Sequence, residues 1–167
     1  ALALNPRGQV IAAEAYALNR QLIENHFDEL DPVVAFRMAK GREITAADYL
    51  QTINDWNALR GRALERFAEV DIVLCPATMI TAKPLADALS SIDRYAQLNL
   101  AYLRNTAIGN ILNLCGLSVP CGFDDQGLPI GLMLYARPFG ERDLLRAGTA
   151  FQSASDFHRQ HPPMDWL

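Results

Sequence analysis

Two short apolar runs, Leu117 to Gly122 and Pro129 to Tyr135, lie on either side of the polar stretch Phe123-Asp-Asp-Gln-Gly127. No other part of the chain limits the fold as much. Apolar runs too short for a helix and bounded by Gly and Pro are the pattern of strands. A polar loop of this length carrying Gly turns the backbone back on itself. The segment is therefore read as a β-hairpin. A third strand is expected at Ile72-Val73-Leu74-Cys75, where the helical period stops at Asp71 and Pro76 ends the run. Being apolar throughout, it is expected to be buried on both faces.

The remainder reads as helix. From Val10 to about His26, Ile11, Ala15, Leu18 and Leu22 recur at helical spacing and form the expected buried stripe, with Glu14, Arg20 and Gln21 outside it. Asp31-Pro32 offers a cap and a first-turn proline for a short helix, and Gly41 the left-handed stop after Lys40. Thr45-Ala-Ala-Asp48 resembles a capping box ahead of Tyr49, Ile53, Trp56, Leu59, Ala63, Phe67 and Val70, so a long helix is expected over roughly 45–69. Ala77 to Arg94 lacks a clean period and reads as a surface excursion. Tyr95 to about Asn113 reads as helix, and so does Glu141 to about Arg159, with Leu144, Ala147, Phe151 and Ala154 on one side and His161-Pro-Pro163 as its stop. Helices among a few buried strands give an α/β class, with α+β as its neighbour, built on a small mixed sheet. No repeat or internal boundary divides residues 1–167, so a single region is expected.

Composition removes several function classes. Half of the 167 residues are hydrophobic and only 20% are charged, which supplies a core and argues against disorder. The net charge of -4, without a Lys/Arg run, disfavours direct nucleic-acid binding. No apolar run approaches the ~18 residues of a membrane span. Cys75, Cys115 and Cys121 sit in apolar runs, at neither metal-ligand nor disulfide spacing, and read as buried thiols in a reducing cytoplasm. No metal or other cofactor is expected. His26, His158 and His161 lie near helix ends or in the tail and read as solvated.

Landmarks in order carry a resemblance. They are Glu14-Ala-Tyr, Gly41-Arg-Glu-Ile-Thr-Ala-Ala-Asp-Tyr49, Phe67 before Val70-Asp71-Ile-Val-Leu-Cys-Pro76, Asn110, Ser118-Val-Pro-Cys-Gly122 and Leu128-Pro-Ile-Gly131. Together they resemble the carboxyl-terminal portion of amidase signature hydrolases, from about Glu14 to Phe151. The resemblance implies strands that join a larger mixed sheet built mainly by preceding residues. That would explain why three strands are too few for so many helices and leave open edges. It also implies hydrolysis of a carboxamide by a Ser, Ser, Lys triad on a Gly/Ser-rich loop. A serine attacks, its proton passes through a second serine to an unprotonated lysine, and backbone amides hold the oxyanion.

No such loop occurs here. Lys40 adjoins a helix end, Lys83 lies in the polar excursion, Ser90-Ser91 lacks flanking glycines, and Ser118 lies in a strand. No catalytic residue is therefore assigned, and the chain alone is expected to be inert. Its expected partners are the remainder of an amidase chain and a small-molecule amide, with homo-oligomerisation left open.

Two positions bear on substrate. Relative to the amidotransferase A subunits that the chain resembles in outline, Trp56 falls where an Arg, and Leu103 where an Asp, would hold the charged ends of glutamine. Neither can pair with an ion, and a partly desolvated ion without its partner binds poorly. Trp56 and Leu103 are therefore the candidate substrate-binding residues, an apolar wall for an aryl or alkyl amide; the other reading is that both are core. Two alternatives to the hydrolase portion are a noncatalytic scaffold and the A subunit of a transfer-RNA-dependent glutamine amidotransferase.

Overall fold

A computed structural model describes residues 2–4 and 8–161. The chain forms two compact units, Ala1–Gly61 and Arg62–Leu167.

The first unit holds α1 (Gln9–Asn25), α2 (Pro32–Ala39), a 3₁₀ turn at Lys40–Glu43 and the start of α3 (Ala46–Arg66). Both expected caps are present. One Asp31 carboxylate oxygen accepts from the N–H groups of Val33 and Val34 at 3.0 and 3.1 Å, with Pro32 at the helix start. The Thr45 hydroxyl accepts from the Asp48 N–H at 3.1 Å and donates to the Asp48 carboxylate at 2.7 Å. Each satisfies donors that the first helical turn leaves free.

Two expectations fail in this unit. The apolar stripe on α1 faces outward: Ile11 and Leu22 are exposed, and Leu18 is 87% exposed. The buried face carries Val10, Tyr16 and Ile23 instead. An apolar stripe shows which residues can be covered, and the covering element decides which are. Gly41, expected as a left-handed stop, is buried and has no positive φ. A Cβ there would run into the Ala12 carbonyl and the Tyr16 Cβ, so the glycine permits close approach of backbone to α1.

The second unit is built on β1 (Val73–Pro76), β2 (Cys115–Phe123) and β3 (Pro129–Ala136), in the order β1-β3-β2 and antiparallel throughout. The hairpin expectation holds. Asp124 N–H donates to the Leu128 carbonyl, Gly127 N–H to the Asp124 carbonyl, and Gly127 has φ 78°. A β-turn followed by a left-handed glycine is a common three-residue hairpin connection. The Asp124 carboxylate braces it, accepting from the Gln126 and Leu128 N–H groups at 2.9 Å each.

Side chains alternate across β3. On one face Leu134 and Ala136, with Val119 of β2 and Leu144 of α6 (Glu141–Ser153), form the buried core, flanked by Leu117, Leu132, Ala147 and Phe151. Burying each such leucine contributes roughly 1.5–3 kcal/mol. On the other face Tyr135 meets α5 (Ile92–Leu112), its ring lying against Gly109. Helices and a small sheet thus give the expected α/β class, although the sheet of the described residues is antiparallel rather than mixed.

β1 departs from its expectation. It is an edge strand, with Val73 exposed and Leu74 58% exposed. Its apolar run reports that it suits a covered position, while nothing in the described residues covers both its faces. The excursion after it holds a short helix, α4 (Leu85–Ala88), and α5 starts three residues earlier than expected because Ser91 caps it, accepting from Arg94 N–H at 3.1 Å. α6 ends at Ser153, and a separate 3₁₀ turn covers Phe157–Arg159. The expected stop at Pro162-Pro163 lies outside the described residues.

Candidate functional site

Trp56 lies in the middle of α3 and is only 7% exposed. The Arg60 guanidinium, one helical turn on, sits 5.6 Å from the ring centroid, a cation over an aromatic face. The indole Nε1 is buried without an acceptor among the described residues. A buried donor left unpaired costs about 1–3 kcal/mol. As described, the side chain is enclosed.

Leu103 lies on α5 and is 47% exposed. The turn that carries it is fixed from both directions. Asn105 Nδ2 donates to the Pro76 carbonyl at 2.8 Å, tying α5 to the end of β1. The Tyr135 hydroxyl donates to the Asn105 carbonyl at 3.1 Å, tying it to β3. Burial is the main cause that raises the Tyr135 pKa above the ordinary phenol value. Leu103 is therefore displayed from a rigid support. The sequence offered no signal for the Asn105 and Tyr135 bonds, because each joins residues about thirty positions apart.

The excursion from Ala77 to Ser91 is held rather than loose. Arg94 grips Asp87 with two hydrogen bonds, at 3.0 and 2.7 Å, and this contact lowers the Asp87 pKa below the usual carboxylate range. Lys83 N–H donates to the Tyr102 hydroxyl at 2.9 Å. The hydroxyl of Thr81 reaches Asp124 and is the main cause of that carboxyl's lowered pKa, followed by the Leu128 N–H.

None of the residues weighed for the triad forms a nucleophile with a base. Ser90 donates to the Asp87 carbonyl, Ser91 is a helix cap, and Ser153 and Ser155 donate to carbonyls one helical turn back. Ser118 lies on β2 above Gly131. The Lys40 ammonium sits 4.5 Å from the Phe36 ring centroid. Among the described residues, no serine hydroxyl is bonded to a lysine. His26 is exposed and pairs with Glu29 at 2.9 Å. His158, expected to be solvated, instead has its Nδ1 buried without a partner among the described residues. The three cysteines are unpaired and half-buried, and burial raises the Cys75 thiol pKa. Among the described residues, no group of three His, Cys, Asp or Glu side chains could hold a metal ion, and no helix is long and apolar enough to cross a membrane.

Comparison with known proteins supplies what the side chains alone do not. The amidase family model matches residues 7–145. The chain is 32% identical over 139 residues to a 2-amino-5-chloromuconic acid deaminase of Comamonas testosteroni, covering 83% of this chain and 30% of that protein. It is 29% identical over 157 residues to an amidase of Pseudomonas putida, covering 93% and 34%. The fold matches a crystal structure of an amidase with a TM-score of 0.74 at 21% identity, over 92% of this chain and 36% of that one. The chain thus spans about a third of the length of these relatives.

Proposed function

The chain belongs to the amidase family, and from that premise we propose that it is one portion of a larger amide-bond hydrolase whose attacking serines and lysine lie outside residues 1–167. The observation that carries this reading is the mismatch in coverage. The family model and the relatives run through most of this chain, while the chain accounts for only 30–34% of those relatives. The local roles of the serines fit it, since four of the five hydroxyls serve turns and helix ends.

The whole of 1–167 then acts as a single stretch of framework within one amidase signature domain. The exposed edge of β1 continues into a larger mixed sheet, where an apolar strand finds its cover. The remainder of the polypeptide supplies the nucleophile, the proton relay to a neutral lysine and the oxyanion hole, so that carboxamide becomes carboxylate through an acyl-enzyme. Three unpaired thiols suit a cytoplasmic setting.

The substrate is an aryl or alkyl amide rather than glutamine. Trp56 and, separately, Leu103 contribute apolar contacts where a glutamine site needs ions. A pocket that loses an apolar contact loses about 1–3 kcal/mol of discrimination, a factor of roughly 10–200. In the complete polypeptide, Trp56→Ala and Leu103→Ala are each expected to cut kcat/KM for an aryl or alkyl amide by at least about tenfold relative to glutamine. An unchanged ratio for both variants, with normal folding, removes the two residues from the substrate site.

A further inference from the structure

Between β1 and α4 the chain runs without helix or strand from Ala77 to Pro84. Irregular backbone holds one shape only where other groups take up its hydrogen bonds. Here a single turn of α5 takes up several. The Tyr102 hydroxyl accepts from the Lys83 N–H at 2.9 Å and donates to the Thr81 carbonyl at 3.4 Å. Arg104 Nη1 donates to Met79 Sδ at 3.2 Å, and Asn105 Nδ2 donates to the Pro76 carbonyl at 2.8 Å. The sheet adds one more bond, from the Ala77 N–H to the Gly131 carbonyl at 2.8 Å. Met79 is the large apolar side chain that the segment leaves exposed, at 48%. An unbranched thioether has three rotatable bonds, and the guanidinium on its sulfur restrains them. A side chain held in this way while half in water adds little burial to the fold.

We infer that Met79 is a specificity-determining contact for the apolar group of the amide substrate, and that Arg104 and Asn105 are positioning residues that hold it in place. This rests on the reading of the chain as a portion of an amide hydrolase with Leu103 at its substrate site. Arg104 and Asn105 directly follow Leu103, so one helical turn sets the placement of both apolar side chains. That turn is itself fixed from below, where the Tyr135 hydroxyl donates to the Asn105 carbonyl at 3.1 Å. Binding residues concentrate on loops that a rigid scaffold positions, and a side chain ordered beforehand loses less freedom when a ligand arrives. The substrate class that follows is an amide with an extended apolar group, since a methionine adapts to an alkyl chain or a ring and offers no charge to an ion.

The test compares hexanamide with acetamide as substrates of the complete polypeptide. Met79→Ala lowers kcat/KM for hexanamide relative to acetamide by about tenfold, mainly through KM, as the loss of an apolar contact does. Asn105→Asp has the same size but, once ionised, cannot donate to the Pro76 carbonyl, and it lowers the same ratio by about threefold or more. Asn105→Gln, which keeps an amide donor, restores at least half of that loss. In the double variant the loss is no greater than for Met79→Ala alone, because a positioning residue then has nothing left to position. An unchanged ratio for Met79→Ala overturns the inference, and so does an equal loss for both amides. Losses that simply multiply in the double variant overturn the positioning role of Asn105. A preference for glutamine over hexanamide that survives Met79→Ala also overturns the inference, since it would give the substrate's charge to Arg104. Hydrolysis by the unsubstituted polypeptide separates the failures. If hexanamide is cleaved while Met79→Ala is silent, only this inference falls; if Leu103→Ala is silent while Met79→Ala lowers the ratio, Leu103 leaves the site and Met79 stays; if no amide is cleaved, the hydrolase reading falls and this inference with it.

Discussion

Leu134→Ala lowers the unfolding free energy of 1–167 by about 2–5 kcal/mol, the range for emptying a leucine site in a packed core. Leu134 is 3% exposed and lies on the central strand, opposite Leu74 on one side and Leu117 on the other. Its side chain belongs to the core cluster that seats α6 on the sheet through Leu144, Val119 and Ala136. Position on the middle strand limits how far neighbours can close the gap, so the cost falls toward the upper part of the range. Urea titration measures it as a lower midpoint at an unchanged slope. A loss below about 1 kcal/mol would mean that this cluster is not the core of the second unit.

Gly109→Val has a comparable effect through the other face of the sheet. A side chain at position 109 enters the space of the Tyr135 ring, and a β-branched one cannot rotate clear of it on a helix. Either α5 lifts off or the ring moves, and a moved ring gives up its bond to the Asn105 carbonyl. Overpacking costs about 1–3 kcal/mol and the hydrogen bond about 0.5–1.5 more. The double-mutant cycle with Tyr135→Leu identifies the cause. If the clash is with this ring, the paired change costs less than the sum of the single ones by about 1 kcal/mol or more. Strict additivity would place the damage elsewhere.

What the sequence disclosed was mainly local. The hairpin was legible because Gly127, the acidic turn and two apolar runs lie within about twenty residues. The caps at Asp31 and Thr45 were legible because a capping side chain reaches only two or three positions along the chain. Ser91 is a cap of the same kind, lying in the stretch whose lack of a clean period reads as a surface excursion. What failed depended on distant partners. The apolar run of β1 and the stripe of Ile11, Leu18 and Leu22 read as buried from the sequence, yet Val73, Leu74, Ile11, Leu18 and Leu22 are exposed. Gly41 reads from the sequence as a left-handed stop, whereas its role is set by Ala12 and Tyr16, which pack against it from α1. The Trp56 and Leu103 expectations came from positions relative to relatives, and the structure adds that one is enclosed and the other displayed.

The family assignment was legible for a different reason. Its landmarks are spread from Glu14 to Gly131, and many are Gly, Pro or Asn residues that fix backbone geometry rather than carry chemistry. That is why the fold could be named while the substrate stayed open. A site made of turn and framework residues specifies where a pocket stands, and the groups that attack a carbonyl are a separate set.

Mapping the serine that reacts with a fluorophosphonate probe tests this division directly. In the complete polypeptide, peptide mass spectrometry is expected to find the adduct on a serine outside residues 1–167, with amide hydrolysis lost in step with labelling, while purified 1–167 takes up no probe and hydrolyses no amide above buffer. An adduct on Ser90, Ser91, Ser118, Ser153 or Ser155 that abolishes turnover would contradict it, since the nucleophile would then lie inside the framework.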